Sequence, residues 1–313
     1  MERTDRIYVA GHRGLVGSAL VRALASGGFE DLVLRRREEL DLTDRPAVEA
    51  FIRDARPRYV FVAAAKVGGI LANMRSPADF IRENLAIQLN VIHASHEAGV
   101  EKLLLLGSSC IYPKHAPQPM KEEYLLTGPL EPTNRAYAIA KIAGIELCRS
   151  YRAQHGARFI GVMPTNLYGP GDDFDLETSH VLPALIRKFH EAKEEGRDEV
   201  VVWGTGEPRR EFLHVDDLAD ACLFLMRRYD GEEILNVGVG EDIRIDDLAR
   251  LVRDVVGYGG RIVYDRDKPD GAPRKLLDVS RIHALGWRAR IGLEAGIRRT
   301  YRWYVDHPVP AGG

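Results

Sequence analysis

Tyr137 and Lys141 stand four residues apart, a spacing that puts a phenol and an ammonium on one face of a helix. A positive charge beside a phenol favours its ionised form. The pair therefore predicts a tyrosine that can hand a proton to a carbonyl oxygen. Ser108, in Gly107-Ser108-Ser109-Cys110, offers a hydroxyl that can hydrogen-bond the same oxygen. Cys110 follows two residues later, and in an extended segment the two side chains would point to one side. A thiol there suits proton removal from a carbon next to a ketone, because the enolate that forms spreads its charge onto the oxygen held by the donors. Inverting such a carbon needs a second proton carrier on the opposite face. Ten histidines compete for that place. His180 is the strongest, at a helix start soon after the Thr165-Asn166-Leu167-Tyr168 loop. His214 is expected to be structural, while Cys148 and Cys222 fall in helical stretches and should fill the core.

A second set of residues predicts a dinucleotide. Gly11-His12-Arg13-Gly14-Leu15-Val16-Gly17 has the G-x-x-G-x-x-G form between the first strand and the first helix. Glycines there allow a sharp turn and close approach of a pyrophosphate, and the helix amino end favours negative charge. A site preferring NAD would carry an acidic residue at the end of the second strand. This chain has Leu34-Arg35-Arg36-Arg37 instead, with Arg13 in the loop itself. Guanidinium groups suit a 2′-phosphate, so NADP(H) is the expected cofactor, with Arg13 and Arg37 its ligands.

The elements that must position these groups alternate. Strands are expected at Ile7 to Ala10, Leu32 to Leu34, Tyr59 to Val62, Leu103 to Leu106 and Phe159 to Met163. Helices are expected at Val16 to Ala25, after an Asp44 cap, at Ala78 to Glu97 and from about Asn134 to Gln154. Apolar strands without strict alternation, each followed by a helix, predict an α/β fold. Its core is a doubly wound parallel (Rossmann) sheet with ligands beyond the carboxyl ends of the strands. Residues 1–165 form the expected cofactor domain, and 204–233 return to it. Residues 166–313 form mainly a smaller α/β substrate-binding lobe, with helices at His180 to Glu194, Val215 to Arg227, Ile245 to Val255 and Leu293 to Val305. Its strands are expected at Val200 to Trp203, Ile234 to Val237 and Arg261 to Tyr264. The 313 residues are 45% hydrophobic, enough for a sizeable core. A net charge of -2 argues against a nucleic-acid partner. No apolar stretch is long enough for a membrane span, and the charged start lacks a signal peptide. The three cysteines do not suggest a disulfide framework. A cytoplasmic protein is expected, with no metal. The small-residue face of the Tyr137 helix (Ala136, Ala140, Ala143, Gly144) suggests close packing and a homodimer.

The glycine loop, the serine segment and the Tyr137/Lys141 pair resemble the extended short-chain dehydrogenase/reductases. More narrowly, the chain is similar to the GDP-L-fucose synthases across nearly its whole length. The similarity is carried by Ala10 to Gly14, Ala63 to Gly69, Gly107 to Pro113, Pro132-Thr133 with Tyr137 to Gly144, Met163 to Pro170, Arg210 to Asp217, Lys268 to Gly271 and Pro273 to Asp278. The stretch between Arg227 and Leu235 looks shorter than the family's. The resemblance implies epimerisation of GDP-4-keto-6-deoxy-D-mannose at carbons 3 and 5, then NADPH-dependent reduction at carbon 4. It makes His180 the acid/base partner of Cys110. It also adds Asp41, Leu42, Leu106, Pro164, Asn166, Leu167 and His180 to the cofactor wall, with the backbone of Gly107 and the ammonium of Lys141. For the GDP-sugar it implies Asn166, Lys188, Trp203, Arg210 and Asp270, with Lys275 a weaker candidate. Arg210 has the strongest chemical case, because a guanidinium grips phosphate oxygens in two-point fashion.

Three other functions compete. A 4-epimerase that recycles bound NAD would fit poorly with the basic end of the second strand and with Cys110. A sugar dehydratase would be expected to place an acidic pair where Ser109-Cys110 stands. A non-catalytic redox sensor would usually have lost Tyr137 or Lys141.

Overall fold

The computed structural model describes residues 1–176, 178–268 and 270–307. Pro269, quoted above in the Lys268 to Gly271 run, lies outside the described residues. Six parallel strands form the central sheet: β1 (Ile7–Ala10), β2 (Leu32–Val33), β3 (Tyr59–Val62), β4 (Lys102–Leu106), β5 (Arg158–Pro164) and β10 (Leu235–Val237), in the order β10-β5-β4-β3-β1-β2. Every residue of β1, β3, β4 and β10 is buried, as a sheet covered on both faces requires. The covering helices are α1 (Leu15–Ser26), α2 (Arg45–Ala55), α4 (Pro77–Glu97), α5 (Arg135–His155) and α7 (Val215–Arg228), and the short α3 (Ile70–Arg75) precedes α4. Asp44 caps α2, its side chain accepting from the Ala47 N–H at 3.2 Å.

The chain leaves β1 toward β2, then returns to the other side of β1 to lay down β3. That reversal opens a crevice at the carboxyl ends of β1 and β3. Gly11 (φ 81°) makes the turn, where a Cβ would stand 2.7 Å from the Ala64 backbone, and a Cβ on Gly17 would stand 1.9 Å from the Gly11 carbonyl. Helix α5 lies along α4, where Gln88 donates to the Ala140 carbonyl at 2.9 Å and a Cβ on Gly144 would meet the Gln88 side chain at 2.3 Å. Ala140 and Gly144 thus pack within the chain, against α4. Their small size is explained by this close packing of the two helices.

The other strands form three small sheets. β6 (Asn166–Tyr168) pairs with β9 (Phe212–His214), and β7 (Glu199–Trp203) with β12 (Arg261–Asp265). β8 (Arg209–Arg210) lies between β11 (Ile243–Arg244) and β13 (Arg274–Lys275). Around them lie α6 (Val181–Glu194), α8 (Ile245–Val256), α9 (Ser280–Ala284) and α10 (Leu293–Asp306). Tyr168, Phe174, Phe189, Leu248, Val252 and Ile297 form a second core here, apart from those on the two faces of the main sheet. Helix α3, of six residues, and the pairs built from β6, β8, β9, β11 and β13, of two or three residues each, were not foreseen, because such short elements carry no readable period. Among the described residues, no helix is long and apolar enough to cross a membrane.

Candidate active site

The crevice between β1 and β3 is a cleft of ≈ 380 Å³, with Gly11, Gly14, Arg37, Asp41 and Leu42 in its wall. Ala63 to Ala65 form its floor beyond β3, and Arg35, Thr43, Lys66 and Glu83 complete it. Gly14 tests the fit to a dinucleotide. A Cβ there would meet protein only at 3.6 Å, so packing does not require glycine. Gly14 is also the cap residue of α1 and supplies no side-chain acceptor to the first-turn N–H groups. Bare backbone at a helix amino end, with room before it, fits a pyrophosphate. Leu15 and Val16 open the helix behind it. Arg37 is 75% exposed and only 3.8 Å from Glu83, whose carboxylate Lys66 holds at 2.8 Å. Arg13 is exposed as well, and burial together with Arg13 lowers the pKa of the neighbouring His12. Asp41 is committed locally, accepting from the N–H and hydroxyl of Thr43 at 2.9 and 2.8 Å.

Farther along the sheet's carboxyl edge, β4 ends in Leu106, and Gly107 then passes so close to β5 that a Cβ would lie 2.3 Å from the Met163 sulfur. Beyond it the backbone does not stay extended. Ser109 to Ile111 form a 3-10 turn that Ser108 caps, its Oγ accepting from the Cys110 N–H at 3.4 Å. The expected extended segment is therefore corrected to a turn. The turn still brings the groups together, for Ser108 acts to lower the pKa of both the Cys110 thiol and the Tyr137 phenol, against the burial that raises them. Cys110 is buried, as are Cys148 and Cys222.

Tyr137 and Lys141 share a face of α5, with the Lys141 Nζ 5.7 Å from the Tyr137 ring centre. That ammonium donates to the Leu106 carbonyl at 2.8 Å. The phenol pKa is raised, not lowered as the pairing alone predicts. Burial is the main cause, the Cys110 charge adds to it, and the Ser108 hydrogen bond opposes them. Burial also brings Lys141 down to about 8. His180 is the cap residue of α6 and is reachable from solvent. Its pKa is lowered, by burial first; Asp173 raises it and Lys275 lowers it.

Asn166 and Leu167 continue past Pro164 into β6, and the Asn166 amide donates to the Glu211 carbonyl at 2.8 Å. Arg210 lies on β8, its Nη2 reaching the Asp270 carbonyl at 3.4 Å; burial lowers its pKa against the pull of Asp270. The Asp270 carboxylate accepts from the N–H and hydroxyl of Thr205 at 2.7 and 2.8 Å, so it braces the loop after Trp203. Trp203 is 46% exposed, with the ammoniums of Lys188 and Lys268 at 5.0 and 5.3 Å from its ring. Such a ring, flanked by cations, can stack on a base beside a phosphate chain. Lys275 pairs in register with Arg210 across β13 and β8.

Sequence reasoning missed Glu211. It is fully buried, and its carboxylate accepts from the N–H groups of Val239 and Gly240 at 2.7 Å and Leu277 at 3.0 Å. An acid directly before the apolar Phe212-Leu213 pair was the available signal. Lys66, Thr43 and Glu83 in the cleft were also missed: Lys66 and Thr43 lie in loops that periodicity does not mark, and Glu83 is one charged residue of the long helix α4. His214 is buried and caps α7, its ring nitrogen accepting from the Asp216 N–H at 3.2 Å.

Residues 7–238 match the model of the NAD dependent epimerase/dehydratase family. GDP-L-fucose synthase 1 of Arabidopsis thaliana is 60% identical over 306 residues, 98% of this chain and 95% of that protein. GDP-L-fucose synthase of Escherichia coli (strain K12) is 55% identical over 97% of each chain. A solved structure of a GDP-L-fucose synthetase from Naegleria fowleri, bound to NADP, superposes with a TM-score of 0.90. It is 30% identical and covers 98% of this chain and 95% of that one.

Proposed function

The chain belongs to the NAD dependent epimerase/dehydratase family, among the GDP-L-fucose synthases, and from that premise we propose how its own residues divide the work. It converts GDP-4-keto-6-deoxy-D-mannose to GDP-L-fucose by inverting carbons 3 and 5 and then reducing carbon 4. The observation that carries this reading is the action of Ser108 on both Cys110 and Tyr137, at the carboxyl edge of the same sheet whose β1–β3 crevice forms the glycine-lined cleft.

Residues 1–165, with 204–233, form the cofactor half, and 166–313 mainly hold the sugar nucleotide. The basic cleft wall supports NADPH: Arg13 and Arg37 would take the 2′-phosphate, Gly11 to Gly17 the pyrophosphate, and Asp41 and Leu42 the adenosine. When bound, NADPH supplies the hydride that reduces carbon 4. Ser108 and Tyr137 hold the carbon-4 oxygen throughout. During the inversions they stabilise the enolate oxygen, and in the reduction Tyr137 gives that oxygen its proton. Lys141 positions the cofactor ribose and places a positive charge near the phenol. Cys110 and His180 exchange protons with the ring from opposite faces. Arg210 and Lys188 suit the pyrophosphate, and Trp203 the guanine. Leu85 and Leu89 on α4 and Ile139 on α5 are 37%, 51% and 40% exposed, which supports pairing of two copies through these helices. Mixing the protein with NADPH and the GDP-keto-sugar tests the reading. Loss of nicotinamide absorbance together with formation of GDP-fucose is expected, and consumption of neither reactant would overturn it.

A further inference from the structure

The two inversions pose a proton-inventory problem. In each, one carrier takes a proton from the ring while the other gives one, so the first carrier ends protonated and the second deprotonated. One proton must return between them before the second carbon can react. The thiol is poorly suited to this by itself, because a buried sulfur resists becoming an anion.

One cation bears on both carriers. Lys275 and Cys110 line the same small cavity of ≈ 10 Å³, behind the Ser108–Cys110 turn, with Lys114, Gln118 and Glu131 in its wall. Among the described residues, Lys114 is paired with Glu131 at 3.1 Å, whereas the Lys275 ammonium has no hydrogen bond or ion pair. The backbone that follows it is fixed tightly. The Gln118 side chain accepts from the Leu276 N–H at 2.8 Å, Met120 N–H donates to the Leu276 carbonyl at 2.7 Å, and Glu211 accepts from the Leu277 N–H at 3.0 Å. The strand so held sets Lys275 in register with Arg210 on β8 and in the wall of the cavity that Cys110 lines. The charges facing Lys275 are Cys110, Arg210 and Glu131. Facing Cys110 are Lys275 and Lys141, and facing His180 are Asp173 and Lys275.

We propose that Lys275 is the positioning residue of the inversions: its ammonium, fixed beside Cys110 and within electrostatic reach of His180, lets the buried thiol give up and recover its proton. No oxidation state changes in this step: the S–H bonding pair stays on sulfur, and an imidazole lone pair takes up the proton. The proton leaves sulfur, the thiolate is held by the ammonium, and the imidazole regains what it gave. The neighbouring charge opposes the burial that holds the thiol protonated. This role rests on the function proposed above and assigns Lys275 to the proton chemistry, where the sequence suggested a substrate contact.

Alkylation of Cys110 by iodoacetamide across pH, in the full chain and without substrate, reads the thiolate directly. Cys148 and Cys222, 2% and 0% exposed, do not compete. Lys275→Met should move the profile to higher pH and slow alkylation at fixed neutral pH by about tenfold, while Lys275→Arg should keep it. In heavy water, deuterium uptake at carbons 3 and 5 should fall about tenfold more than reduction of the already inverted ketone. If Lys275→Met does not fold, Lys275→Gln serves for the same two measurements. An unmoved alkylation profile would overturn the proposal. So would an equal loss in both half-reactions seen only as a higher KM, which marks a phosphate contact. If wild-type protein exchanged no deuterium, the proposed function would fall, and the alkylation profile would still judge Lys275.

Discussion

The Lys141 ammonium lies 5.7 Å from the centre of the Tyr137 ring but gives its hydrogen bond to the Leu106 carbonyl at 2.8 Å. The lysine thus directs its hydrogen bond away from the phenol, and burial keeps the phenol protonated. A tyrosine held in that state is a proton donor. Tyr137→Phe should lower the rate of NADPH oxidation by about 10²–10⁴-fold. Cofactor binding, followed by nicotinamide fluorescence, should persist. A variant retaining most of its rate would require another donor.

Lys141 itself sets a pH limit. Its pKa is brought down to about 8, so its charge is present below that value and is lost as pH rises through it. Tyr137, shifted upward, stays protonated over the same window. The rate of reducing the inverted ketone should therefore be flat on the neutral side and decline above pH ~8. A single-turnover pH profile measures this, and a rate still flat well into the alkaline range would contradict it.

Arg37 stands in the cleft wall with only a long contact to Glu83 at 3.8 Å, leaving its guanidinium available to a phosphate. Removing one charge-assisted contact of that kind should erode the preference for NADPH over NADH by about tenfold. Arg37→Ala, and separately Arg13→Ala, can be compared with wild type by kcat/KM for each cofactor. Equal use of NADH by the wild-type protein would sink the assignment of the 2′-phosphate site.

Cys110 and His180 come from separate segments, a turn after β4 and the cap of α6. Cys110→Ser and His180→Gln should slow deuterium uptake at carbons 3 and 5 while Tyr137 and Lys141 remain in place. Unepimerised ketone would then be reduced slowly to a GDP-6-deoxyhexose of the wrong configuration, which NMR of the product sugar would detect. Undiminished exchange in both variants would place the proton carriers elsewhere.

Lys102 offers a test of the scaffold alone. It is fully buried at the start of β4, and its ammonium donates to the carbonyls of Leu225, Met226 and Tyr229 at 3.1, 2.9 and 2.6 Å and pairs with Asp230 at 3.0 Å. It thus closes the carboxyl end of α7 against the sheet. Lys102→Met would leave these acceptors without their donor and should destabilise the fold by about 3 kcal/mol, as read by denaturant unfolding. A loss near zero would mean that water replaces the ammonium there.

The sequence alone determined the sheet, the glycine turn and the pairing of Tyr137 with Lys141. Each is a local pattern: apolar runs of strand length, glycines at fixed intervals, and two residues four apart on one helix. It also placed Cys148 and Cys222 inside, because they fall on the apolar faces of helices. Only the tertiary structure decided what these groups experience. Burial raised the Tyr137 phenol where its lysine neighbour predicted the reverse, and depth in a folded chain is a sum over many elements that no spacing records. The turn at Ser109 to Ile111 replaced an expected extended run because Ser108 could cap it. Asp270 is engaged by Thr205, and Glu211 by three N–H groups distant in sequence, because strand pairs of two or three residues bring those segments together. Lys275 comes to the cavity lined by Cys110 by the same route: β13 lies beside β8 through long-range packing, which residue order does not encode in any short window.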